Sequence, residues 1–332
     1  MCTAIVVVAL CVSATATSYG ATPPNSHRNG GIGIRLLDAP VSRRDDPRAH
    51  VYIVDFLAPG TTISRRVEVS NTSATRQSIQ VYAGAASVKD ATFGFGEGST
   101  PDELSTWISF DRTVLDLAPS AKADVLVTIR VPRPASSGER YAVIWAQAAA
   151  LPSATGNIGI INRVGVRVYL DIGAGGEPPS DFRIENITPG RRPGGEPEVF
   201  ARVRNIGGRA VDLSGSLTLS NGPGSLSAGP FDVAGDTTLA PGDVGPTVVV
   251  LDRRLPNGPW HAHLELSSGL IHRTADAVIK FPAVGVGPPV VVQSSTPGGL
   301  LSGPLMLILL SLACAGLLAF GVRAVVRRRR SR

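Results

Sequence analysis

From Val12 to Ala313 the sequence contains no cysteine; Cys2, Cys11 and Cys314 are its only three. Disulfide frameworks, thiolate zinc sites and cysteine nucleophiles are excluded from that whole stretch, which must fold by burying apolar surface alone. Aromatic residues make up only 5%, so each Trp and Tyr has to be weighed as core anchor or exposed platform. No serine stands in a G-x-S-x-G or S-x-x-K setting. The paired acids Asp45-Asp46 and Asp102-Glu103 fall in turn-rich stretches, where adjacent carboxylates face solvent. A glycosidase pair is instead set apart across a fold. The chain reads as non-enzymatic, with no cofactor and no catalytic residue.

No acidic residue occurs in the segment after Val322, where Arg323, Arg327, Arg328, Arg329, Arg330 and Arg332 stand. The whole chain has 32 Lys+Arg against 26 Asp+Glu, a net +6. Without those six arginines the rest is balanced at 26 to 26, so the excess is a topology signal and nucleic acid is not an expected partner. Residues 305–322, LMLILLSLACAGLLAFGV, carry no charge and no proline. As a helix they would rise about 27 Å, enough to cross a hydrocarbon core. The basic tail, residues 323–332, then stays in the cytoplasm and places the preceding chain outside. Residues 1–21 read as a signal peptide, with an apolar core from Ala4 to Val12 and the small residues Ala14-Thr15-Ala16 at the cleavage site. A single-pass protein of the cell membrane is expected.

What the chain has in plenty is Gly (37) and Pro (26), set between short alternating runs. Ile32, Ile34 and Leu36 share one face of a strand, as do Ile63, Val67 and Val69; Asn71-Thr72-Ser73 breaks the second run, and Ile79 and Val81 resume it. Residues 91–105, with Gly94, Gly96 and Gly98, read as a flexible loop. Val125, Val127, Ile129 and Val131 alternate again, then Tyr141, Val143 and Trp145, then Val164, Val166, Val168 and Leu170. Short strands punctuated by turns indicate an all-β, Ig-like β-sandwich over residues 30–173.

The order of these signals resembles the peptidoglycan-binding domain of WxL-interacting proteins, Gram-positive surface proteins. The residues that carry the resemblance are Tyr52 with Pro59-Gly60, Val67 with Val69 and Asn71, Leu117 with Pro119, and Val131-Pro132 with Gly138 and Tyr141. PapD-like chaperone domains share several of these turn signals. The resemblance implies binding of cell-wall peptidoglycan or another envelope glycan. The chaperone likeness implies a membrane-tethered assembly factor that uses an exposed strand edge. A sensor or secretion accessory acting through the membrane helix is a further alternative.

After a linker at 174–180, the same grammar returns. Phe200 to Asn205 repeats the strand ending in Asn, Leu239-Ala240-Pro241 repeats the Leu-x-Pro start, and Leu255-Pro256 leads to Trp260. A second, smaller Ig-like sandwich is expected over 181–283, resembling the host-binding domain that follows in WxL-interacting proteins. Residues 284–304, rich in Gly, Pro and Ser, read as a stalk. His261, His263 and Glu265 would share an outward face, and a turn at Ser268-Gly269 would set His272 opposite Glu265. Metal ligation and the wet face of a sheet are both open for them, and no metal is assigned. Tyr141 and Trp145 are expected in the core. Trp107, beside the glycine-rich loop, is the candidate glycan-stacking residue, with surface proteins as further partners.

Overall fold

The computed structural model describes residues 31–150 and 160–296. The expected signal peptide (1–21), membrane helix (305–322) and basic tail (323–332) lie outside the described residues. Among those described, helices are confined to short 3-10 turns, and none is long and apolar enough to cross a membrane. The chain is all-β.

The first unit contains β1 (Ile32–Leu36), β2 (Ile53–Leu57), β3 (Thr62–Asn71), β4 (Gln77–Lys89), β5 (Thr92–Phe95), β6 (Ile108–Phe110), β7 (Val114–Leu117), β8 (Lys122–Arg130), β9 (Gly138–Ala150) and β10 (Ile160–Ile172). One sheet has the order β1-β3-β8-β6; the facing sheet has β2-β10-β9-β4-β5, with β7 also on β4. Val67, Val69, Val125, Val127 and Ile129 meet Ile79, Val81, Ile144, Val168 and Leu170 between them. The inner residues of β9 are Ala142, Ile144, Ala146 and Ala148. Val143 and Trp145 are buried, as expected of core residues, but on the opposite face, in a separate cluster with Val54, Phe93, Tyr169 and Ala210, against which the partly buried Tyr141 packs. β9 is covered on both faces, so alternation alone does not identify the inner one. The cover comes from residues 91–105, expected as a loop. They contain β5, which pairs with the end of β4 and lays Phe93 and Phe95 over the sheet. Ring centroids are 5.1 Å apart for Phe93–Tyr169 and for Phe95–Trp145.

The second unit contains β11 (Phe182–Arg191), β12 (Pro197–Asn205), β13 (Val211–Asp212), β14 (Ser214–Ser220), β15 (Ala228–Asp232), β16 (Thr238–Leu239), β17 (Val244–Val250), β18 (Trp260–Ser268), β19 (Ile271–Ile279), β20 (Gly285–Val286) and β21 (Val290–Val291). Its sheets have the orders β17-β12-β11-β20, with β21 also on β11, and β15-β14-β18-β19, and β13 and β16 form a small pair. Trp260 is fully buried at the centre of the enclosed core. The expected stalk over 284–304 is corrected for its first part, and residues 297–304 lie outside the described residues. Residues 285–291 add to β11, and Ser295 bridges to Thr274 of β19.

The repeated grammar has a physical basis. Asn71 and Asn205 are both buried at the ends of long strands. The Asn71 amide donates to the carbonyls of Thr75 and Leu117 at 2.7 and 3.0 Å, and its oxygen accepts from Ser73 N at 2.9 Å. The Asn205 amide donates to the carbonyls of Arg209 and Leu239 at 2.8 and 2.9 Å, and its oxygen accepts from Gly207 N at 2.9 Å. In both units the Asn satisfies backbone groups that the turn would otherwise bury unpaired, and it ties the turn to the Leu-x-Pro segment, which proves to leave the ends of β7 and β16 rather than to start a strand.

Candidate functional site

β9 and β10 form a long hairpin paired from Ile172↔Gly138 to Ile160↔Ala150. The β-branched run of β10 suits a strand, and Val166, Val168, Leu170 and Ile172 face the first core. On its other side β10 is covered only in part. β2 pairs with it in parallel over Val168–Ile172 and no further. Among the described residues, 160–167 therefore present an edge with no strand partner, and Ile161 on that stretch is 65% exposed. Unpaired N–H and C=O groups on such an edge can template another strand. Gly165 fits the same design: a Cβ there would come within 2.6 Å of both the Trp145 ring and Val143. The indole thus lies across the edge strand, with the Arg163 guanidinium 4.1 Å above it.

The covered half of β10 ends at a junction with the second unit, made of buried charges. The Arg209 side chain is 1% exposed and that of Glu139 on β9 is 3% exposed, 3.5 Å apart. Arg209 also pairs with Glu177 of the expected linker and donates to the Asp55 carbonyl at 3.1 Å. Glu139 further accepts from Ala210 N at 2.6 Å and from the Tyr141 hydroxyl at 2.9 Å. Beside it, Asp212 takes Arg48 at 2.7 Å, the Tyr169 hydroxyl at 2.6 Å and the Thr238 hydroxyl at 2.8 Å. Burial raises the Glu139 carboxyl above its ordinary value even with Arg209 opposing. Burial, then the Asp212 charge, raises the Tyr169 phenol. Burial likewise raises Asp171, next to Glu139 in the β9–β10 register. The linker is docked as well, since Gly208 N donates to the Pro179 carbonyl at 2.8 Å. The open edge is therefore held at a fixed elbow.

The residues singled out in the sequence do not come together. Trp107 lies on a 3-10 turn, partly buried against the first core. The Arg140 guanidinium sits 5.2 Å over its ring and pairs with Glu103 at 2.8 Å. Asp102 accepts from Ser105 N at 2.7 Å and Ala86 N at 3.0 Å, a turn-holding role. Asp46 caps the 3-10 turn Pro47–His50, accepting from Arg48 N. The β18–β19 register sets Glu265 opposite Thr274 and Ser267 opposite His272, so the expected His272–Glu265 apposition is corrected. The turn is Gly269-Leu270, not Ser268-Gly269. His263 instead contacts Asp276 at 2.8 Å and Glu265 at 3.1 Å, and no metal-ligating group occurs among the described residues.

These two contacts raise the His263 pKa, chiefly through the hydrogen bond to Asp276. The stabilisation should be complete below the unfolded value of about 6.5 and fade as pH rises through the folded value. The urea midpoint should therefore fall between pH 6 and 8.5 more steeply in the native chain than in His263→Gln. Parallel pH curves would rule the contribution out.

No protein-family profile matches the sequence, and no curated protein matches it. Three solved structures show its distant likenesses. The class 5 fimbriae chaperone CfaA is 11% identical with a TM-score of 0.33, over 75% of this chain and 100% of that one. The Pseudomonas aeruginosa CupB2 chaperone is 14% identical with a TM-score of 0.37, over 68% and 97%. A Salmonella enterica SafA pilin–SafB chaperone complex is 10% identical with a TM-score of 0.38, over 80% and 96%. The expectation of a wall-glycan binder is corrected here, because these similar structures are pilus chaperones. Likenesses at these TM-scores carry no argument about a partner, which has to come from the chain's own geometry.

Proposed function

We propose that this chain is a non-enzymatic envelope chaperone or assembly factor, tethered outside the cell membrane by residues 305–322, that receives an extended segment of a partner protein along β10. The observation that carries this reading is the half-covered strand. β2 leaves 160–167 open among the described residues, and a partner strand there would continue a sheet already five strands wide. Main-chain hydrogen bonds would supply affinity, and alternate side chains of the incoming strand would supply selectivity. The elbow fixes the edge relative to the second unit, so little ordering cost would remain on the chaperone side.

The test is binding of a fluorescent peptide with alternating apolar residues to the purified protein. Ile161→Lys places on the edge the side chain that natural sheets use to block pairing. Affinity should fall at least tenfold, and the melting temperature should hold, because Ile161 is exposed. Equal binding by both proteins would refute the edge.

A further inference from the structure

Arg163 stands midway along the open stretch 160–167, and its charge is left unmatched by the chain. Val164, Val166 and Val168 face the first core, so Arg163 shares the outer face of β10 with Ile161, Gly165 and Arg167. Its guanidinium carbon lies 4.1 Å from the centroid of the Trp145 ring, and that ring is locked in place. A Cβ on Gly165 would come within 2.6 Å of the indole and a Cβ on Gly84 would lie 3.0 Å from its Nε1. Phe95 meets it edge-on with centroids 5.1 Å apart. An arginine stacked on an aromatic face still has five N–H donors to offer in a fixed fork. Among the described residues one of them is used, in a long bond of 3.4 Å from Nη1 to the Gly98 carbonyl. The ion pairs among those residues include Arg140 with Glu103 and Arg167 with Asp212, but none of Arg163. Residues 1–30, 151–159 and 297–332 contain no Asp or Glu, so no other part of the chain can supply the missing carboxylate.

We infer that Arg163 selects acidic partners: the extended segment received on β10 carries Asp or Glu on its outward face, and that carboxylate pairs with the guanidinium. The inference rests on the strand-accepting edge proposed above. A strand laid along 160–167 sets its outward side chains beside Ile161, Arg163 and Gly165, with directly opposite Cβ atoms about 5 Å apart. A carboxylate beside Arg163 gains a charge-assisted hydrogen bond. Lys or Arg in the same place meets a like charge, so the site rejects as well as attracts. Stacking on the indole has already ordered the guanidinium, which leaves little side-chain freedom to lose on binding. Arg167 does not share this role, because Asp212 already lies 3.4 Å from it.

Three peptides that differ only on their outward face test this with the full chain. Each has Val at alternate positions and Glu, Gln or Lys at the others, so a register slip of two residues sets the same side chain beside Arg163. The Glu peptide should bind at least tenfold more tightly than the Lys peptide, with Gln between them, and added salt should narrow the gap. Arg163→Gln should bring the three within about threefold of one another while binding the Gln peptide as the native chain does. Arg163→Glu should reverse the order. Equal binding of all three by the native chain, with the Gln peptide still weakened by Ile161→Lys, would leave the edge standing and overturn the charge selection. A Glu preference that survives in Arg163→Gln would overturn it too. If none of the peptides binds, the edge and the selection fall together.

Discussion

Arg209→Ala is expected to cost about 3–5 kcal/mol, the range for breaking a buried ion pair by removing one partner. The side chain is almost fully enclosed and compensates Glu139, whose carboxylate is enclosed with it. Without the guanidinium, Glu139 retains only its bonds from Ala210 N and the Tyr141 hydroxyl. Because these groups join the two units, the loss should also separate their unfolding. Trp107 and Trp145 report on the first unit and Trp260 on the second, so single-tryptophan variants can resolve the two transitions in urea. Arg209→Met combined with Glu139→Gln should recover much of the stability, since no uncompensated charge stays buried. A loss below about 1 kcal/mol, with one coincident transition, would mean that the units do not depend on this pair.

Trp260→Ala should have a comparable effect, again about 3–5 kcal/mol, from lost transfer energy and the cavity left behind. The indole is fully buried and donates to the Pro256 carbonyl at 2.9 Å. Gly222 lies so close to the ring that a Cβ would meet it at 2.2 Å. Gly222→Ala should therefore destabilise the same unit by forcing the ring aside, and the two effects should not add. Trp107→Ala offers the contrast. That ring is only partly buried, and its cation–π contact with Arg140 is worth about 0.5–1 kcal/mol at an exposed site. Chemical denaturation of the three variants would order them. Trp260→Ala melting with the native protein would contradict the packing described for the second core.

Much of this architecture is legible in the residues. The alternating Val and Ile runs mark strands, and the recurrence of Asn71 with Leu117 and Asn205 with Leu239 marks two related units. What period-2 alternation cannot do is distinguish the faces of a strand buried on both sides. The shared face of Tyr141, Val143 and Trp145 is legible as a core face, but not which core it joins, and only the fold-back of β5 explains what covers it. The elbow was invisible for a different reason. Arg209 follows Gly207-Gly208 and reads as a solvated turn residue, while its partners Glu139 and Asp55 stand far away in sequence. The open edge of β10 shows the same limit. The run itself is legible, but that β2 covers one half and stops depends on a parallel pairing across more than a hundred residues.

The central claim, that β10 accepts a strand, is tested most directly by residue-resolved amide hydrogen exchange with and without an extended peptide. Half of the amides in 160–167 should point away from β9 and exchange rapidly in the free protein, because no described strand covers them. Saturating peptide should slow those same amides at least tenfold and leave 168–172, already paired with β2, unchanged. Protection that appears on another edge, or no change in 160–167 at saturation, would contradict the account.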